Sequence, residues 1–532
     1  MDRGSVNTAN GREIGLSPLE KSVILFGSVF FTREGLKMAF NSVDFLIFFP
    51  IAVLVYYVLP QKIRNYWLLA ASYYFYMCWN AKYALLLFFS TFVTYLSGLL
   101  IEGVRRKYPR RTGWAKAVVA GSFLINLFLL GYFKYSGFLL DNVQSVFRRL
   151  GIALSVPRVD VLLPVGISFF IFQALSYTMD VYREEVAAEH NLFRYALFVS
   201  FFPQLVAGPI ERSKDLLPQF SEKHDFSLDR AKEGLLIMGW GLFLKMVIAD
   251  RAAIFVDAVY NDIAAYGGMY IVVAAILFVF QVYCDFSGYS CIALGAAQVL
   301  GFRLTENFEA PFCAVSVGEF WRRWHISLNR WFTQYLYIPL GGNRKGKLRK
   351  YCNQMVVFLV SGLWHGAVWS YVVWGGLNGI FVITGELTRP IRDRIKAAIH
   401  WRDEAVPVHV VRSVITTLLF AFSMIFFRSQ GTSFAIRVIR QMVTVRNAGI
   451  LFDGSLYTLG LNQRNFVLLL LALCVLMAAD ILRYRGVKVR GWILERCLPI
   501  RWACALVLIL AIVVFGIWGV GYDKTAFIYF QF

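Results

Sequence analysis

What most constrains this chain is the recurrence of long apolar runs. They fall near 43–59, 65–79, 83–101, 115–133, 162–179, 191–210, 233–249, 269–283, 285–301, 353–365, 367–387, 410–428, 465–482 and 502–519. A helix needs about 20 apolar residues to cross a bilayer core. Not all runs reach that length, and several carry Gly, Pro or charge, as at Pro203, Gly208, Pro209 and Asp285. Such backbone is tolerated at membrane depth only where protein or a water-filled cavity surrounds it. The expectation is an all-α polytopic membrane protein with about ten to twelve full spans plus re-entrant and amphipathic pieces. Composition excludes the alternatives. Charged residues are only 16% of the chain, against about 25% in soluble proteins, too few to cover several soluble surfaces. The 58% hydrophobic and 17% aromatic content excludes disorder.

Lys and Arg number 54 against 33 Asp and Glu, a net charge of +21. The excess gathers in Arg105 to Arg111, Arg344 to Lys350, Arg389 to Arg402 and Arg483 to Arg490. The positive-inside rule makes these cytoplasmic loops, so the basic partner is a lipid membrane and not nucleic acid. The chain reads as a multi-pass protein of the bacterial cytoplasmic (inner) membrane. Eight cysteines without a CxxC pair indicate neither a zinc site nor a disulfide framework, and six lie in or beside apolar runs as small hydrophobes. Residues 1–37 are polar with one short apolar run, and a natural membrane-protein start follows at Met38. They read as a dispensable extension to a membrane domain at 38–532.

Chemistry narrows to a few histidines among six. His190, His400 and His409 sit in polar or loop-edge text and read as solvated. His224 and Asp229 match an H-x4-D spacing in which a carboxylate orients a basic imidazole. Yet Ser227 reads as a helix N-cap with Asp229 in the first turn, which explains the pair without catalysis. His365 differs, lying in LVSGLWHGAVWSYVVWGGLNG with Tyr371 as the sole other ionisable group. An ionisable side chain in a span is costly and marks function by default. A neutral imidazole there can act as a general base, or it can hydrogen-bond between helices, and residue context leaves both open. Gly362 and Gly366, then Gly375 and Gly379, form GxxxG pairs suited to close helix packing or to leaving room for a substrate chain.

His325 lies in GEFWRRWHISLNRWFTQYLYIPLGG. There Phe320, Trp324, Leu328, Trp331 and Tyr335 fall on one face of a single amphipathic helix that Pro339 ends. Arg322, His325 and Asn329 fall on another face. The helix is either an interfacial anchor or a wall whose arginines, Arg322 and Arg323, meet the phosphates of an anionic donor. Six of 14 tryptophans, Trp321, Trp324, Trp331, Trp364, Trp369 and Trp374, lie within 321–374. They suit an interfacial belt or an acyl-chain pocket. The sequence has no GxSxG elbow, Walker loop, GxGxxG or HExxH. Two histidines forty residues apart with no nearby carboxylate make no metal set. Direct base catalysis on a hydroxyl is the simplest chemistry left.

At these residues the chain resembles the membrane-bound O-acyltransferase family, and within it the AlgI-like bacterial branch of alginate O-acetylation proteins. The carriers are PVGISFFIFQALSYTMDVYR (164–183), FFPQLVAGPIER (201–212), YCDFSGYSCIALGAAQVLGF (283–302), NFEAPF (307–312), EFWRRWHISLNRWFTQYLYIPLGG (319–342) and SGLWHGAVWSYVVWGGLNG (361–379). The likeness spans nearly all of 38–532 and is densest at 160–380. It implies a ring of tilted helices around a central acyl-transfer tunnel, with His365 as the catalytic histidine and His325 as the second motif histidine. Trp324, Asn329, Ser361, Trp364 and Asn378, with Arg322 and Arg323, become candidates for donor or acceptor binding. No bound cofactor is implied. The donor would be acyl-CoA or an acyl-carrier thioester, the partner a periplasmic SGNH-hydrolase-like acyltransferase, and the acceptor an exported polysaccharide such as alginate.

Two rivals stand beside that expectation. Within the enzyme class, peptidoglycan, teichoic acid or cellulose could be the acceptor. From another class, a proton-coupled transporter would use Asp180, Lys245, Asp250 or Asp285, since intramembrane charges mark pathways.

Overall fold

A computed structural model describes residues 38–108, 112–152, 162–206, 208–398, 405–518 and 527. Among them the regular structure is helical, with one isolated backbone bridge between Phe308 and Trp324. The expectation for residues 1–37 lies outside the described residues, as do His400 and most of the terminal FIYFQF.

Six helices are long and apolar enough to cross a membrane: Gln61–Lys107, Gly113–Arg149, Met269–Leu300, Val406–Arg428, Gln463–Tyr484 and Leu498–Phe515. The first is two segments, because Asn80 leaves helical geometry at φ −166°, ψ 114°. The remaining apolar text is broken, as Gly, Pro and charge foretold. Leu192–Ser200 stops and Phe202–Leu205 resumes before the chain turns back through Gly208 and Pro209. Leu228–Leu242 passes through a π-helical turn, Phe243–Ala249, into Asp250–Asn261. A further π turn, Gly131–Tyr135, interrupts the helix Gly113–Arg149, and another, Thr333–Tyr337, ends the helix Ile326–Phe332. Such turns recur at functional sites.

Helix starts follow capping chemistry. The side chains of Ser42, Asn191, Ser227 and Asn462 accept backbone N–H groups at the helices they precede, satisfying donors that a helix N-terminus cannot. The Ser227 cap settles the His224 motif. Asp229 is exposed in the first turn, while buried His224 shares a hydrogen bond with the Gln219 carbonyl at 2.8 Å and packs on Phe302.

Between helices, small residues bring backbones together, as expected where lipid supplies no hydrophobic drive. A Cβ on Gly234 or Gly241 would strike the carbonyl of Gly295 or Gly288, and the reverse substitutions meet the same obstacle. The helix Met269–Leu300 is thereby locked against Leu228–Leu242. Leu498–Phe515 buries no residue and turns Val507 and Val514 outward, a lipid-facing surface.

The intramembrane charges proposed for a transport path have polar partners. Lys245 contacts Asp250 at 2.8 Å and Asp285 at 2.6 Å, all three being nearly inaccessible. Asp180 accepts hydrogen bonds from Ser213 and Tyr335 at 2.7 and 2.6 Å. Basic residues of two loops find acidic partners: Arg105 pairs with Glu184, while Arg483 and Arg490 share Glu306. His190 is exposed beside Glu102, but His409 is not solvated as expected, since its ring bonds the Cys313 carbonyl and meets Tyr484 edge-on.

Candidate active site

The helix Gly346–His365 starts in the basic loop and ends at the buried His365. Twenty residues make about 30 Å of helix, so His365 lies far from the basic end. Gly366 then takes extended backbone and Val368 leads into Trp369–Leu387. The two helices form a hairpin whose glycines serve contact. A Cβ on Gly362 would meet the Tyr371 carbonyl, one on Gly375 the Phe358 carbonyl, and one on Gly379 the Met355 side chain. The space expected beside the imidazole at Gly366 is filled by the ring of Tyr371. These glycines pack helices and do not make room for a substrate chain.

The second histidine required a correction. The expected single helix over 320–335 breaks in two, Val317–Arg323 and Ile326–Phe332, with His325 at the break in left-handed geometry, φ 45°, ψ 55°. That conformation costs a non-glycine residue about 1–3 kcal/mol and persists only where its surroundings enforce it. Asn307 does so. Its carbonyl accepts Ile326 N–H at 3.0 Å, and its side-chain oxygen accepts the Ser327 hydroxyl at 2.6 Å. Asn329 closes the preceding helix by donating to the carbonyls of Trp321 and Trp324, both at 2.6 Å. Periodicity could not show this, because the apolar face it counted is real on either side of the break.

The break carries His325 inward. Its ring centroid lies 6.4 Å from that of His365, 4.6 Å from Phe286 and 6.3 Å from Phe169. Trp364 adjoins both imidazoles, at 6.0 Å from His325 and 4.9 Å from His365, and Trp374 meets His365 edge-on at 5.1 Å. Of the six clustered tryptophans, Trp321, Trp324, Trp364 and Trp374 are buried here, whereas Trp369 is exposed. The belt explanation therefore fits only the minority. The indole N–H groups of Trp321, Trp364 and Trp374 are buried without a hydrogen-bond acceptor among the described residues. A buried donor left so costs about 1–3 kcal/mol.

The other expected residues divide. Trp364 lines a pocket together with His365, Ser168, Phe169 and the stretch 163–167. Ser361 is buried one turn before His365, and Asn378 donates to the Trp374 carbonyl and to Ser423, so it steadies the Trp374 helix. Trp324 stacks on Phe320, and Asn329 is spent on the two carbonyls above. Arg323 pairs with Glu319 at 3.0 Å and lies over Tyr484, while Arg322 is exposed. His365, His325 and Trp364 thus converge, with Ser361 one turn away on the His365 helix; the arginines do not join them.

Sequence reasoning missed Lys134 and Tyr135. Lys134 also lines the pocket, with Nζ donating to the carbonyls of Trp364 and His365 at 2.6 and 3.2 Å. The available signal was a lysine directly after the apolar run 115–133, which was treated as the end of that run. The helix bearing it, Gly113–Arg149, begins shortly after the basic residues Arg105 to Lys107 in sequence, so Lys134 stands several turns along it. Among the described residues there is no group of His, Cys, Asp and Glu able to hold a metal ion.

A buried pair of imidazoles, one of them lining a pocket, thus stands among broken helices of a membrane domain. Residues 144–427 match the model of the membrane-bound O-acyltransferase family. The chain is 38% identical over 407 residues to a protein of Pseudomonas syringae pv. tomato named probable alginate O-acetylase AlgI, covering 75% of this chain and 74% of that one. A protein of the same name from Pseudomonas putida is 41% identical over 351 residues, 65% and 70% of the two chains. A peptidoglycan O-acetyltransferase of Helicobacter pylori is 33% identical over 449 residues, 78% and 81%. The chain belongs to the membrane-bound O-acyltransferase family. It is a multi-pass membrane acyltransferase.

Proposed function

We propose that this enzyme is an inner-membrane O-acetyltransferase that carries acetyl groups from a cytoplasmic thioester to hydroxyls of an exported polysaccharide of the alginate kind. The observation that carries the chemistry is the approach of His325 to 6.4 Å, ring to ring, from His365, which itself lines a pocket. The names of the Pseudomonas relatives support the polymer. The reaction follows from the groups present. His365 takes the proton of an acceptor hydroxyl, the oxygen attacks the thioester carbonyl, and the carbon–sulfur bond breaks. The proton then passes to the departing thiolate, leaving an ester and a free thiol. The buried indole N–H groups of Trp364 and Trp374 are suited to accept charge developing on the carbonyl oxygen. His325 orients donor or acceptor beside them.

The donor is acyl-CoA or an acyl carrier thioester, drawn to the cytoplasmic face by exposed Arg322 and the Arg344 to Lys350 loop. A periplasmic SGNH-hydrolase-like partner would receive or direct the acyl group on the far side. A second acceptor, peptidoglycan, is favoured by the Helicobacter relative. One experiment addresses both: mass analysis of surface glycans from cells carrying the wild type or His365→Ala. Loss of acetyl esters from one polymer, with the variant still folded in the membrane, identifies acyl group and acceptor. Undiminished acetylation in His365→Ala removes the proposed base.

A further inference from the structure

The last four carbonyls of an α-helix have no partner within the helix and need donors from elsewhere. At the end that bears His365 every one of them has a donor. Gly362 accepts from Gly366 N–H at 3.3 Å. Leu363 accepts from the Tyr135 hydroxyl at 2.8 Å. Trp364 and His365 accept from the Lys134 ammonium at 2.6 and 3.2 Å. Three of these four acceptors are therefore served by two consecutive residues from a helix more than two hundred positions earlier.

Consecutive residues on a regular α-helix point about 100° apart and do not serve one target together. Here they can, because Lys134 and Tyr135 close the π-helical turn Gly131–Tyr135. The wider turn swings both side chains toward the same helix end. The ammonium has three protons, and the third reaches Ser168 Oγ at 3.4 Å. Ser168 lines the same pocket as Trp364. The ammonium also lies 5.7 Å from the ring of Trp364. A cation at a helix C-terminus is favoured by the macrodipole as well as by the hydrogen bonds.

We infer that Lys134 and Tyr135 are positioning residues for acyl transfer, a clamp that fixes the backbone of Trp364 and His365 and so sets where the imidazole stands. The inference rests on His365 being the base. Without the clamp the final turn of the helix would fray, since Gly366 and the extended residues after it give no continuing support. The imidazole and the indole of Trp364 would then shift together. A displacement near 1 Å at a reacting group can cost about 100-fold in rate.

The test uses full-length protein in cells lacking their own copy, with labelled acetate incorporated into exported polymer and normalised to folded protein on size-exclusion chromatography. Lys134→Met should lower incorporation by about tenfold or more, Tyr135→Phe by a smaller but measurable factor, and Lys134→Arg, which keeps cationic donors, should stay within about threefold of wild type. Wild-type incorporation in Lys134→Met overturns the clamp, and so does equal loss in Lys134→Met and Lys134→Arg. Where Lys134→Met yields no folded protein, Tyr135→Phe decides, because it removes one hydrogen bond and no volume; full incorporation there overturns the inference. His365→Ala runs in parallel. If it stays active, the proposed base fails. If it is inactive while both clamp variants match wild type, the clamp alone fails.

Discussion

The imidazoles of His325 and His365 stand 6.4 Å apart, brought together by a chain break at one and a helix end at the other. Left-handed geometry at His325 separates two possible reasons for its identity. Asparagine tolerates that backbone better than alanine. If backbone shape were the whole role, His325→Asn would retain activity and His325→Ala would lose it. With the imidazole acting on substrate, both variants should fold and both should lose about 100-fold or more in acetyl transfer. Pulse labelling of the exported polymer measures the difference, and an active His325→Asn would reduce His325 to a backbone role.

Asn307 holds that break through its own carbonyl and its side-chain oxygen, and its amide donates to Ser290 at 3.2 Å. Asn307→Ala removes the side-chain part and leaves buried donors on Ser327 unsatisfied, at about 1–3 kcal/mol. The expected outcome is a lower melting temperature in detergent with activity per folded molecule reduced as well. A variant that melts lower but works normally would show that the break holds without this side chain.

Glu211, in the 201–212 motif, is buried and accepts Thr305 N–H at 2.5 Å and the Thr305 hydroxyl at 3.1 Å. Burial pushes its carboxyl up to about 7, with the Thr305 hydrogen bonds pulling the other way. The folded state therefore holds a proton that the unfolded chain releases near 4.5. Between those values the folded state binds more protons, so stability falls as pH rises through the window and levels off above it. Glu211→Gln keeps both contacts to Thr305 and carries no titrating group. Melting temperature of the wild type should decline from pH 5 to pH 7 (~2 pH units) more steeply than that of the variant. Parallel slopes would mean that Glu211 does not titrate in this range.

Membrane class was legible because burying backbone in lipid forces long apolar helices. Pro203, Gly208 and Pro209 marked one break, whereas Asp285 lies inside the unbroken helix Met269–Leu300 and the kink at Asn80 carried no such signal. His365 stood out in the sequence as the one imidazole in a mostly apolar stretch, with both a basic and a structural role open to it. The shape at His325 was not legible. A helical period persists through Phe320, Trp324 and Leu328, while the residues that enforce the break, Asn307 and Ser327, act across the fold. Lys134 escaped for a related reason: a lysine ending an apolar run looks like a headgroup anchor until the π turn and its distant carbonyl partners are seen. The GxxxG pairs offered two uses, and only the position of Tyr371 against Gly366 chose between them.

Of the four intramembrane charges once suggestive of a transport path, three are bound to one another, and Asp180 is bound to Ser213 and Tyr335. Lys245 lies between Asp250 and Asp285, and its ammonium is 6.0 Å from the ring of Tyr289, which in turn packs on Phe527 at 4.0 Å. Removing one member of a buried charge group strands the others, at about 3–5 kcal/mol. Lys245→Met should therefore sharply lower the yield and melting temperature of folded protein. Neutralising its partners as well, in Lys245→Met with Asp250→Asn and Asp285→Asn, should recover much of that loss, because no uncompensated charge remains in the interior. Thermal melts of the purified variants by fluorescence-detected size exclusion supply the comparison. A single Lys245→Met variant as stable as wild type would mean that the group is not a structural pairing, and solute uptake into vesicles would then become the measurement to make.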